Sequence, residues 1–290
     1  MHARARPTLS AQRTLWWSSS PMTTWSSAAV VLILLGLGVV ASAGEAPGPT
    51  VMLLIAEPEY QTGITLPAFA QSDLAPQGVH CIVVRENPQD PTDFPGLTAL
   101  PQADLLLISV RRHTLLTAQL ELIRAHLRAG KPLIGIRTAS HAFGAVPADD
   151  RHQGWMTFDQ EILGGSYQGH YDDLPAHLAC APGAATHPIL AGIDASTLST
   201  RKLYKNPTLA HTAQPLLTGQ CDGESAIQNV AWTNQVGRSR IFYTSLGTPT
   251  DFATAGFRRL LANAVWWALE RSPPTSAAPP DAPGRLPASP

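Results

Sequence analysis

The sequence predicts an α/β domain built on a mostly parallel sheet with helices on both faces. Three observations carry this. Four short, continuous apolar runs punctuate the first half of the chain, the signature of strands covered on both faces. One amphipathic helix lies between two of them, and an apolar helix closes the domain.

The first run, residues 51–56 (VMLLIA), reads as a buried opening strand, with 81–84 as a second and 105–110 (LLLISV) as a third. A helix follows, with Thr117 as its expected cap, Leu116, Leu120, Ile123 and Leu127 on one stripe, and Gly130 as its stop. Lys131-Pro132 then leads into a fourth strand at 133–136. A strand, a helix and a short return imply a right-handed crossover and parallel pairing. The architecture expected is therefore flavodoxin-like or Rossmann-like. The second half offers shorter strand candidates at 177–180, 231–233 and 240–246, separated by Gly, Pro and Asn. A helix over 252–270 follows, its apolar positions including Phe257, Leu260, Leu261, Ala264, Val265 and Trp267. No internal repeat and no second core is visible.

The ends read differently. Residues 1–27 carry Arg4, Arg6 and Arg13 and no acidic residue; 28–40 are almost wholly apolar, and Ala41-Ser42-Ala43 follow. Basic region, short apolar run and small-x-small site together predict a signal peptide over 1–43 and a periplasmic or extracellular protein. The alternative is an uncleaved N-terminal anchor, disfavoured because a membrane span needs about 20 apolar residues. Residues 272–290 are rich in Pro, Ala and Ser and predict a disordered tail, which leaves 50–271 as one folded domain.

The formal charge of −1 falls near −4 once the three leader arginines are removed. The only lysines are Lys131, Lys202 and Lys205, so no basic face for nucleic acid is expected. Cys81 lies in an apolar strand and is expected to be buried and inert, while Cys180 and Cys221 could form a disulfide if export and geometry allow. No CxxC pair suggests zinc or redox chemistry, and no CxxCH suggests an attached haem; the cofactor, if any, is not identified by the sequence.

Ligands of doubly wound sheets sit beyond the carboxyl ends of the strands, which directs attention to Gly135-Ile136-Arg137-Thr138-Ala139-Ser140-His141. This segment resembles the nucleophile elbow of class I glutamine amidotransferases, with Arg137 where those enzymes have cysteine. A guanidinium cannot form a thioester, and the late stretch 242–249 contains neither His nor Glu. Glutaminase chemistry is therefore excluded. Ser140 lacks the flanking glycines of a GxSxG elbow, and its neighbour His141 is poorly placed in sequence to activate it, which argues against a serine hydrolase.

Segments in order along the chain (109–112, 130–143, 158–170, 187–190, 203–205, 243–247 and 257–269) resemble the ThuA-like, trehalose-utilisation family, in particular its exported branch. The resemblance implies a glutamine-amidotransferase-like fold and an association with carbohydrate or keto-sugar catabolism. It also shows two departures: Gln168 and Thr248 stand where the family often has histidine.

Within that frame His141 and His170 are the candidate acid/base residues, and Asp159 a further acid/base group or a partner orienting an imidazole. Arg137 and Arg111 are candidate substrate contacts, with Arg112 beside them; an ion pair from Arg137 to Asp159 or Glu161 is the structural alternative. Tyr167 and Tyr204, with Tyr171 and Trp155, could stack on a sugar ring, and Ser245 is a candidate contact from the late loop. His113 is expected to be exposed, and Trp232, Trp266 and Trp267 to lie in the core. No set of metal ligands is assigned, although a divalent metal on the two histidines stays open. The expected partner is a small carbohydrate; a non-catalytic module binding a sugar or a protein is the alternative.

Overall fold

The computed structural model describes residues 48–144, 149 and 151–272. The expected leader, and all but Ser272 of the expected tail, lie outside the described residues. Nine strands form one sheet in the order β2-β1-β3-β5-β11-β10-β9-β7-β8. In chain order these are β1 (Thr50–Ala56), β2 (His80–Arg85), β3 (Leu105–Val110), β5 (Leu133–Ile136), β7 (Pro175–Cys180), β8 (Ser199–Arg201), β9 (Gln214–Cys221), β10 (Gln228–Val236) and β11 (Ser239–Thr244). A separate two-residue ribbon pairs β4 (Leu115–Leu116) with β6 (His152–Gln153).

The first five strands of that order run parallel, and β10, β9, β7 and β8 extend the sheet by antiparallel pairing. Every residue of β3, and all but the first of β1, is buried. Alternate side chains therefore feed two cores. Val51, Leu53, Leu105 and Leu107 pack on the face covered by α1 (Thr62–Phe69) and α4 (Ala255–Ala268). Met52, Leu54, Leu106 and Ile108 pack on the opposite face, under α2 (Thr117–Arg128) and the turns at Pro95–Gln102 and Asp159–Leu163. The fold is thus α/β with helices on both faces.

Several local expectations are corrected. Thr117 is the first helical residue of α2, not its cap; Leu116 holds the cap position with no side-chain bond, and the Thr117 amide donates to the Arg151 carbonyl at 2.8 Å. The closing helix is two helices, α3 (Pro249–Ala253) and α4. Extended Thr254 separates them and accepts from the Phe257 amide with its own hydroxyl. Strand β9 and helix α1 were not foreseen from sequence.

All three cysteines are free. The β7–β9 register sets Cys221 opposite Ala176 and Cys180 opposite Leu217. Four residues of strand separate them, about 13 Å at the usual rise, too far for a disulfide. Cys81 is half-buried, and desolvation pushes its thiol up to about 11, which leaves it protonated and inert. His113 is not exposed: it is half-buried edge-on to Phe94, with Nδ1 2.9 Å from the Arg111 carbonyl and Nε2 against the Glu86 carboxylate. Trp232 and Trp266 are buried as expected, and Trp267 is half-buried beneath the Arg240 guanidinium. No helix among the described residues is long and apolar enough to cross a membrane.

Candidate functional site

The carboxyl ends of β1, β3, β5 and β11 open on one rim, and each delivers part of a cleft. After β5 the chain turns sharply: Arg137 takes φ +45°, and a single turn, Arg137–His141, follows. An L residue in the left-handed region is strained unless its surroundings hold it there. Here the Arg137 carbonyl accepts from the Tyr243 hydroxyl at 2.7 Å and from Ser140 Oγ at 3.3 Å. Gly135 permits this close approach, because a Cβ there would lie 3.0–3.2 Å from Leu163, Tyr243 and Ala139.

The Arg137 side chain is held as firmly as its backbone. It is 1 % exposed. Nη1 donates to the Ser245 carbonyl at 2.7 Å and Nη2, more weakly, to the Lys202 carbonyl at 3.4 Å. The guanidinium lies between two rings, 3.9 Å from the centroid of Tyr60 and 4.7 Å from that of Tyr204. Nε is buried without a partner. The alternative ion pair is not formed: Asp159 accepts from the Tyr167 amide and Glu161 from the Trp155 indole. The arginine is therefore the floor of the cleft rather than a fork presented into it.

Above that floor sit the aromatic residues. The His141 imidazole stacks on Tyr167 with centroids 4.5 Å apart and a 20° interplanar angle, and it lies 6.0 Å from Tyr204. His170 flanks the Tyr204 ring at 6.3 Å and is itself exposed, its Nδ1 2.7 Å from the Tyr171 carbonyl. Burial, reinforced by the charges of Arg112 and Arg111, pushes His141 down to about 4, so it is neutral at physiological pH. Its Nδ1 is 3.1 Å from Ser140 Oγ. When that serine gives its proton to the Arg137 carbonyl, its oxygen accepts from Nδ1–H, and the Nε2 lone pair of His141 is left without a protein partner among the described residues.

The remaining candidates take other positions. Arg111 Nε is 2.9 Å from Glu59 Oε2, close enough for an ion pair though misaligned for a hydrogen bond. Asp159 contacts neither histidine. It is buried beneath Gly164-Gly165, and its Oδ2 accepts from the Tyr167 amide at 2.8 Å while Oδ1 has no partner. Burial lifts its carboxyl to about 6. Its geometric effect is to fix Tyr167. Ser245 is 1 % exposed and turns its hydroxyl toward the Val230 carbonyl at 3.4 Å; its own carbonyl is the part that meets Arg137. Gln168 is exposed, and Thr248 caps α3 in a reciprocal pair with Asp251.

Tyr60 and Tyr243 are the residues that sequence reasoning missed. Tyr60 lies just past the end of β1, so the strand-end rule that led to Arg137 applies to it equally. Among the described residues no three His, Cys, Asp or Glu side chains converge, and the His141 and His170 imidazoles lie 6.0 Å and 6.3 Å from the Tyr204 ring centroid. Two imidazoles without a third donor do not fit a divalent metal. A groove of about 430 Å³ adjoins the cleft at the ends of β1 and β2, lined in part by Glu57, Gln61, Ile64 and Arg85. A larger one of about 540 Å³, lined in part by Gly130, Arg238 and Glu270, shares no residue with the cleft.

Comparison with known proteins agrees with the architecture. Two ThuA-like proteins of known structure superpose on the chain. The one from Parabacteroides merdae has a TM-score of 0.54 at 15 % identity, covering 81 % of this chain and 94 % of its own. The one from Bacteroides uniformis has a TM-score of 0.56 at 14 % identity, covering 78 % and 94 %. No curated protein matches the sequence. The family model for ThuA, trehalose utilisation, matches residues 68–268, a span that includes the elbow, the Gly-rich loop and the closing helix. The chain therefore belongs to the ThuA family.

Proposed function

We propose that the cleft binds a carbohydrate, and that His141 acts on it as a general base in an exported protein of sugar catabolism. The observation that carries this reading is the neutral His141 imidazole, stacked on Tyr167 with its Nε2 lone pair unclaimed. Flat aromatic surface suits the C–H face of a pyranose, and an unprotonated imidazole beside it can take a proton from a hydroxyl or from carbon next to a ketone. The family description, trehalose utilisation, points to the same ligand class. Glutaminase chemistry has no nucleophile here, since Arg137 fills the elbow and the three cysteines lie on β2, β7 and β9. Export rests on the leader pattern of residues 1–43.

The test is turnover of a panel of glycosides, free sugars and their keto derivatives. His141→Ala is expected to abolish turnover with a melting temperature within a few degrees of the parent. Undiminished activity in this variant would end the catalytic reading.

A second reading, a non-catalytic binding module, is favoured by one feature: Gln168 and Thr248 supply no imidazole, and Thr248 serves as a helix cap. Saturable sugar binding with no turnover of any member of the panel would select it.

A further inference from the structure

The two edges of the sheet are built differently. One edge is β8, only three residues long, and so short a strand offers little for another chain to pair with. The other is β2, six residues long and in unbroken parallel register with β1, with no proline, bulge or lysine along it. Its arginine, Arg85, turns back to donate to the Gly63 carbonyl at 2.6 Å. The His80 amide donates to the Pro49 carbonyl at 2.9 Å, so His80, Ile82 and Val84 direct their backbone groups at β1. Those of Cys81, Val83 and Arg85 point away from the sheet, and no partner meets them among the described residues.

The same edge carries exposed apolar surface. Val83 is 39 % exposed and Ile64 69 %. Ile64 follows the glycine whose carbonyl Arg85 holds, and Val83 shares the strand face of Arg85, so both belong to this end of the sheet. Unpaired backbone beside exposed apolar side chains is a template for a further strand.

We propose that β2 pairs antiparallel with β2 of a second copy across a two-fold axis, joining two nine-stranded sheets into one. A two-fold axis normal to the sheet keeps like faces together, so directly opposed residues must point to the same face. Centring the axis on Val83 meets this condition with the longest ladder. Val83 then opposes its own copy, and Cys81 opposes Arg85; these are the outward-facing positions, able to exchange hydrogen bonds. Ile82 opposes Val84. His80 opposes Glu86 at a site of the closer kind, where Cα atoms approach to about 4.5 Å, so an imidazole meets a carboxylate on each side of the axis. His80 is exposed and has no side-chain partner among the described residues, and Glu86 engages His113 through Oε2 alone. Shifting the ladder by two residues sets His80 against Val84 or Glu86 against Ile82, and the complementarity is lost. A contact of this kind closes at two copies.

The experiment is sedimentation velocity on the purified protein from about 1 to about 100 µM, repeated on Val83→Lys and on Ile227→Lys. Position 83 is exposed and its backbone takes no part in the β1 ladder, so the lysine should leave the melting temperature within a few degrees of the parent. Ile227 is also exposed but lies next to β10, in the other half of the sheet. The parent and Ile227→Lys are expected to dimerise, with the dissociation constant raised about tenfold or more in Val83→Lys. Val83→Cys, combined with Cys81→Ser and Cys180→Ser, should link two chains on mild oxidation, because the opposed Cα atoms would lie about 5.5 Å apart. This second variant decides the matter if Val83→Lys does not fold. A parent that stays monomeric at the top concentration, undiminished dimerisation in folded Val83→Lys, or no cross-link in Val83→Cys would each overturn the proposal. Assembly into more than two copies would do the same.

Discussion

On the elbow side of the cleft the protein keeps a full positive charge at 1 % exposure; on the loop side it buries Asp159 at 3 % exposure. The two burials are resolved in opposite ways. Arg137 cannot give up its proton, so the fold surrounds it with the Ser245 and Lys202 carbonyls and the faces of Tyr60 and Tyr204. Asp159 can become neutral. The fold grants it one amide hydrogen bond, leaves Oδ1 unpartnered, and lets its pKa rise to about 6. Charge is thus fixed on the side that forms the floor, while on the side that positions Tyr167 burial only shifts the carboxyl toward its neutral form.

The comparison can be broken from either side. The largest effect is expected at the elbow. Arg137→Ala would strand two carbonyls and open a void between two tyrosines, costing about 3–5 kcal/mol in urea unfolding. A cost below about 1 kcal/mol would mean that the guanidinium is not the floor described here. On the loop side, a Cβ at Gly165 would come within 2.5 Å of Asp159 Oδ1 and 2.9 Å of the Trp232 ring. Gly165→Ala is therefore expected to cost about 1–3 kcal/mol and to loosen Tyr167, seen as loss of ligand binding beyond the loss of stability.

Acid sharpens the contrast. His126 and His141 are both held down to about 4, chiefly by burial, so the unfolded chain binds more protons than the folded one between about 4 and 6.5. Their contribution to stability is present above the unfolded value and is lost as pH falls through the folded one. His141→Gln should flatten part of that fall in melting temperature between pH 7 and pH 4. Asp159 has the opposite sign. Its raised pKa gives a contribution present below about 3.8 and lost as pH rises through about 6. Asp159→Asn should remove that smaller, opposing slope while keeping an acceptor for the Tyr167 amide. A pH profile unchanged by this substitution would show that the carboxyl is not protonated on folding.

How much of this was legible in the sequence follows the same division. In β1, β3 and β5 both faces are covered, so continuous apolar runs marked them, and the strand-end rule then located Arg137 and His141. Strand β9 (QPLLTGQC) carries glutamines and a glycine and gave no such run. The resemblance in the Gly-rich loop brought out Tyr167 and His170, yet nothing local showed Asp159 turning under the glycines instead of toward a histidine. The placement of Arg137 between Tyr60 and Tyr204 joins three segments remote in sequence, and pairwise ring–cation contacts of that kind leave no periodic trace. The two halves of the closing helix differ by a single extended residue, Thr254, whose hydroxyl cap is a local signal overshadowed by the apolar stripe around it.

The most direct test of the central claim is calorimetric titration of the parent protein and of Tyr167→Ala with a panel of pyranoses, keto-sugars and uronates. The account predicts saturable binding by at least one member of the panel, weakened tenfold or more in Tyr167→Ala while the melting temperature stays within a few degrees. Binding of equal strength in both proteins, or none in the parent, would contradict it.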